Sequence, residues 1–187
     1  MATFQIWLVH ALSTVSPGVA AFMRSHWGWP VAESLHFIGL CLLLGAIGVF
    51  DLRLLGVAKR IPIVALHKLI PWGLGGFAIN VITGSMFLMT EPDQYVYNPS
   101  FHFKLLFMAA AGLNALMFYL IPYKAIRRLP PSAAAPRAAR IVGAVSLTMW
   151  LAVIVCGRLL TFYRPVACGA TGPGFLAECI PARNAKR

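Results

Sequence analysis

Four stretches of this chain, roughly residues 31 to 57, 70 to 90, 101 to 122 and 139 to 163, are apolar over at least the length that a bilayer's hydrocarbon core demands. A helix needs about 20 residues to cross that core. Inside it every backbone N–H and C=O must be paired within the segment, which commits such runs to helix. The expected fold is therefore all-α: an integral-membrane four-helix bundle. Composition agrees, with 59% of the 187 residues apolar, only 11% charged and a mean hydropathy of +0.76. The same figures exclude a disordered, collagen-like or disulfide-scaffold chain.

Charge sets the orientation. A net charge of +11 would suggest nucleic acid in a soluble domain, but here the basic residues lie mostly between apolar runs, so topology explains them and no nucleic acid is expected. The end of the first run and the connection after it carry Arg53, Lys59, Arg60 and Lys68, and the connection from the third run into the fourth carries Lys124, Arg127, Arg128, Arg137 and Arg140. That side is read as cytoplasmic. The connection between the second and third runs carries Glu91, Asp93, Asn98 and Pro99, with Lys104 the nearby cation, and is read as outward-facing. The protein is then expected in a bacterial inner membrane, multi-pass, with its C-terminus extracytoplasmic.

Three parts follow: N-terminal helices over 1–30, the transmembrane bundle over 31–163 and a tail over 164–187. Residues 4 to 23 are long enough to span but hold His10, Ser13, Thr14, Ser16, Pro17 and Gly18. Wound as a helix, Phe4, Trp7, Leu8, Ala11, Leu12 and Val15 share one face, an interfacial pattern. Ser16 and Pro17 read as an N-cap and first helical residue of a second short helix through about Arg24. Two amphipathic helices lying on the outer surface are expected, with a fifth span as the alternative. A basic n-region and a clean apolar stretch are both missing, so no signal peptide is expected. In the tail, CGATGPGFLAEC can close on itself; a Cys168–Cys179 disulfide is expected in an oxidising compartment, against two free thiols. Cys41 and Cys156 fall within spans and read as small packing residues.

The runs WPVAESLHFIGLCLLLGAIGVFDLRLLG, PWGLGGFAINVITG and NPSFHFKLLFMAAAGLN together resemble a bacterial family of small integral-membrane proteins. The likeness covers roughly residues 7 to 122, and its DLRLLG and PxxE-like/His elements are fairly specific as a set. It implies a four-span bundle, loosely similar to small membrane cytochromes b, and carries over no catalytic residue.

Function has to be read from the polar residues within the spans, since an ionisable side chain in a bilayer is costly and each is a functional candidate. With the first span starting at Pro30, His36 lies about 9 Å below the outer boundary; His102 lies about 4.5 Å and Arg158 about 9 Å below it, at 1.5 Å per residue. His36 and His102 are therefore expected as axial ligands of one b-type haem. Arg158, Lys104 and Arg164 are the candidate propionate partners, and Gly39, one turn from His36, the room for the macrocycle. The competing structural reading pairs His36 with Glu33 and leaves His102 at the headgroup level. A third adds Met86 and Met89 to a histidine for a Cu(I) site, although Met at this spacing is more often packing. His10 and His26 are read as interfacial, with His26 beside Trp27 and Trp29 able to roof a cofactor.

Elsewhere, His67 stands alone at the opposite side, and Asp51 is expected to pair with a cation from the 124–128 region. Asn80 and Asn114 read as interhelical glue. The glycines of WGLGGF and the pair Gly45/Gly48 are expected at close helix contacts and not in a phosphate loop. No Ser/His/Asp set or paired carboxylates converge, which argues against hydrolytic chemistry. The expected function is an electron-transfer subunit with haem b that links quinone to an extracytoplasmic redox partner. It is more a redox subunit than a stand-alone enzyme. A cofactor-free accessory or anchoring subunit of a larger membrane complex, and a transporter or copper-handling protein, are the alternatives.

Overall fold

The computed structural model describes residues 2–15, 17–57, 59–127, 129–130, 133–168 and 179–181. They are all-helical apart from connections and one isolated backbone bridge. In chain order the helices are α1 (Ala2–Val15), α2 (Pro17–Arg24), α3 (Gly28–Leu55), α4 (Ile63–His67), α5 (Ile70–Thr90), α6 (Pro92–Val96), α7 (Pro99–Leu120), α8 (Tyr123–Ile126) and α9 (Arg137–Phe162). Four spans result, Gly28–Leu55, Ile63–Thr90 with α4 and α5 in series, Pro99–Leu120 and Arg137–Phe162, of 28, 28, 22 and 26 residues. At 1.5 Å per residue each matches or exceeds the roughly 30 Å core. The protein is a multi-pass four-helix membrane bundle whose long helices present Phe37, Ile82, Leu106 and Leu151 outward, a surface that suits a lipid bilayer.

Local chemistry sets the helix ends. Gly56, with φ +103°, ends α3: its N–H bonds Arg53 O and that of Val57 bonds Leu52 O, the paired closure in which a left-handed glycine satisfies the last carbonyls. At the other kind of end, the Asn98 side-chain oxygen accepts from Ser100 N at 3.0 Å and caps α7. The Asn98 amide also donates to Leu160 O and Tyr163 O, tying the start of α7 to the end of α9.

The chain forms two compact units, Met1–His36 with Val81–Leu105 and Ile154–Arg187, and Phe37–Asn80 with Leu106–Val153. In the first, Val9, Val96 and Tyr97 form one apolar cluster with Leu8 and Leu12 against it, and Met23, Ala32 and Phe87 form another with Trp29 and Met86. The one-faced reading of α1 needs correction. Leu8, Val9 and Leu12 turn to the cluster, while Phe4 and Trp7 stack on each other in the exposed surface, so apolar side chains occupy more than one side of this helix. The break near residue 16 is present as a bend of 77° between α1 and α2; Ser16, the expected cap, lies outside the described residues. In the tail Cys168 and Cys179 are joined by a disulfide, and Cys168 N and Ile180 N bond Ile180 O and Val166 O beside it. Residues 169–178 of that loop lie outside the described residues, as does Arg128 among the expected cytoplasmic cations.

In the second unit, Leu43, Ala111, Trp150 and Val153 form a mid-span core, and Phe50, Leu54, Ile63, Leu66, Phe118, Ile126 and Ala139 a second one. Gly73 and Gly143 meet neighbouring side chains closely, as expected of glycines at helix contacts. Gly45, Gly48 and Gly75 face open space, so the expected Gly45/Gly48 contact is absent; these positions lie on the helix side turned from its neighbours. Asn114 donates to Val142 O on α9 at 3.0 Å and is interhelical glue as read from the sequence. Arg53, only 1% exposed, donates to Ile61 O, Lys59 O and Ala133 O and so clamps both connections, 56–62 and 130–136.

Candidate functional site

The polar residues of the first unit gather on α3, α5, α7 and α9. His36, half-buried on α3, faces α5, where its Nδ1 lies 2.7 Å from the Oγ1 of buried Thr83. Phe87, one turn further along α5, meets the same imidazole edge-on at 5.7 Å and in turn packs on Trp29 at 4.9 Å. Between them Gly84 leaves space: a Cβ there would stand 3.8 Å from His36 Cε1. The expected Glu33 partner is exposed, and the hydrogen bond that His36 makes goes to Thr83.

Lys104 supplies the second ionisable group. Its half-buried Nζ lies 3.8 Å from where a Gly157 Cβ would stand, near the buried Cys156 thiol, and its charge reaches His36. Among the described residues no carboxylate stands against it and it makes no hydrogen bond. An imidazole and an ammonium therefore share one apolar interior with a thiol, a hydroxyl and two glycines. Such an arrangement suits a ligand with carbonyl or anionic oxygen atoms, because both side chains can donate hydrogen bonds and nothing nearby accepts from Lys104.

The sequence placed other residues here, and the structure redistributes them. His102 is exposed with its ring against Phe101, so it does not join His36. Helix geometry explains this: His102 and Lys104 are two residues apart, about 200° around α7, and cannot both face inward. Similar depth brought His36 and His102 together on paper; azimuth separates them. Arg158 is exposed, with its guanidinium over the Phe162 ring at 4.6 Å, and turns away from the interior where Cys156 lies. Gly39 is not an open slot, since a Cβ there would meet the Asn80 amide at 2.6 Å and Gly76 O at 2.8 Å. Its missing side chain admits the close approach of α5. Asn80 itself donates to Gly76 O on its own helix.

No protein-family model, curated protein or solved structure matches this chain. The assignment has to rest on the geometry.

Thr83, Phe87 and Cys156 are the site residues that sequence reasoning missed. The spacing of Thr83 and Phe87, four apart on one face of the second span, was the available signal. Met86 packs with Met23, Ala32 and Phe87, which fits the apolar reading of the methionines, and His26 is exposed edge-on to Trp27. Among the described residues no group of three or more His, Cys, Asp or Glu could hold a metal ion. Asp51, in the second unit, is 4% exposed and lies within hydrogen-bonding reach of Ser146, while its Oδ2 has no partner. Among the described residues the expected ion pair with the 124–128 region is not formed, and α9 lies against this face of α3: Gly143, one turn from Ser146, packs on Asp51 O and Leu54.

Proposed function

We propose that this protein is a membrane-embedded electron-transfer subunit that binds a quinone between His36 and Lys104 and exchanges electrons with an extracytoplasmic redox partner. The observation that carries the proposal is Lys104: an ammonium held inside a membrane span with no carboxylate beside it, next to an imidazole held by Thr83. A cation in that setting is costly unless a ligand supplies the counter-dipole. A quinone head does so with its carbonyl oxygens, and its isoprenoid tail belongs in lipid. In the tautomer where Nδ1 accepts from the Thr83 hydroxyl, the His36 proton is on Nε2 and can be donated to one carbonyl; Lys104 donates to the other. As electrons arrive, negative charge grows on those oxygens, and the fixed ammonium stabilises it at low dielectric. The basic segments 53–68 and 124–140 support a bacterial inner membrane with the tail outside.

The test is titration of the purified, detergent-solubilised protein with a short-chain quinone, read by quenching of Trp29, which reaches His36 through Phe87. Saturable binding is expected, weakened at least about tenfold in Lys104→Met and His36→Ala and unchanged in His102→Ala, since loss of a buried charged donor costs about 1.5–3 kcal/mol. An absorption spectrum of protein expressed with ample haem runs alongside. A Soret band lost in both His36→Ala and His102→Ala would return the assignment to bis-histidine haem. Neither a Soret band nor quinone binding would leave the cofactor-free accessory subunit.

A further inference from the structure

The second unit carries a different polar cluster at the end where its connections lie. A cavity of about 40 Å³ is bounded below by Phe50, Ile63 and Phe118 and rimmed by His67, Tyr123 and Arg127. Its volume accommodates one water or the tip of a polar head group, not a cofactor. Val64 and Arg127 on its rim are exposed, so it is reached from the surface. The Arg127 guanidinium stands 5.8 Å over the Tyr123 ring, and His67 Nε2 pairs with Tyr119 Oη at 3.1 Å.

The rim is rich in donors. A neutral His67 and Tyr119 hold one N–H and one O–H between them; their mutual bond uses one, and in either tautomer the other remains to be given. Arg127 adds a planar fork suited to two oxygens of one anion. The two connecting segments, 56–69 and 121–136, contain Lys59, Arg60, Lys68, Lys124, Arg127 and Arg128 and neither Asp nor Glu. The imidazole packs against the rings of Phe50 and Tyr123, which hold it at the rim.

We propose that His67, Tyr119 and Arg127 form a binding site for a phosphate group, that of an anionic phospholipid in the leaflet that the basic segments face. The Arg127 fork and the spare donor of the His67–Tyr119 pair hold the phosphate oxygens, and the acyl chains lie along the exposed apolar surface near Val64 and Leu120. A basic pocket at the end of a span, with an apolar floor and lipid-exposed flanks, has the chemistry of anionic headgroup recognition.

The test uses the full protein in phosphatidylcholine nanodiscs with and without phosphatidylglycerol, and separately with inorganic phosphate, read by thermal unfolding. Phosphatidylglycerol is expected to raise Tm in the wild type, and the rise is expected to vanish in Arg127→Gln and to shrink in Tyr119→Phe. It should persist in Lys59→Gln, a cation outside the cavity. Native mass spectrometry should find phosphatidylglycerol retained by the wild type and lost from Arg127→Gln. A rise with inorganic phosphate alone that follows the same variants would assign the site to free phosphate and overturn the lipid source. No rise with either, a rise retained in Arg127→Gln, or an equal loss in Lys59→Gln would overturn the site.

Discussion

The imidazole of His36 on α3 is held by the hydroxyl of Thr83 on α5, Nδ1 to Oγ1 at 2.7 Å, across a sequence separation of 47. Two spans are thereby linked through a half-buried imidazole. The bond fixes the ring plane and couples its tautomer to the hydroxyl.

Thr83→Val keeps the shape and removes the hydroxyl. The expected result is quinone affinity weakened roughly fivefold, as about 1 kcal/mol is the usual net worth of one such hydrogen bond. Quinone titration by Trp fluorescence checks it, with Thr83→Ser expected to restore most of the affinity. Affinity unchanged in Thr83→Val would mean that Thr83 does not orient the ring.

Gly39→Ala should destabilise the protein by about 1–3 kcal/mol, the usual cost of forcing atoms into a filled contact. The added methyl would meet the Asn80 amide and the backbone carbonyl of Gly76, and the latter cannot move without shifting α5. Gly45→Ala, where nothing lies within 4 Å, should be neutral or slightly stabilising in the same melting experiment because alanine favours helix. Equal Tm values for the two variants would show that α3 and α5 do not approach at Gly39.

Arg53→Met is expected to loosen both connections that the guanidinium clamps, through the lost bonds to Ile61 O, Lys59 O and Ala133 O. Bonds to a charged donor contribute about 1.5–3 kcal/mol each, net of exchange with water. Limited proteolysis should cut the segment 127–137 several-fold faster in the variant, with the helix content by circular dichroism retained. Equal cleavage rates would count against the clamp.

The tail and the N-terminus report on sidedness together. Thiol labelling of unreduced protein should spare Cys168 and Cys179, which become reactive after reduction, because they are joined. A reporter fused before Met1 should be active only outside the cytoplasm if α1 and α2 lie in the outer interface. Cytoplasmic activity would make the bent pair a fifth span.

How far the sequence reached follows from what kind of quantity each feature is. Length and apolarity are scalar properties of a segment, and the bilayer tests them directly, so three of the four spans were legible to within two or three residues, as was the break between α1 and α2; the second was legible at its end, but α4 adds seven residues to its start. The tail disulfide was legible for a similar reason, since it is a local pattern. Depth was also readable, by counting residues along a helix. Direction around the helix axis was not, because in a membrane nearly all faces are apolar and no polar stripe marks the interior. That ambiguity paired His36 with exposed His102, assigned Arg158 to the interior and left Gly39 open for a ligand. Tertiary packing decided these points: α5 fills the groove at Gly39 with Asn80, Thr83 takes the imidazole, and the 200° between His102 and Lys104 sends one outward and the other in.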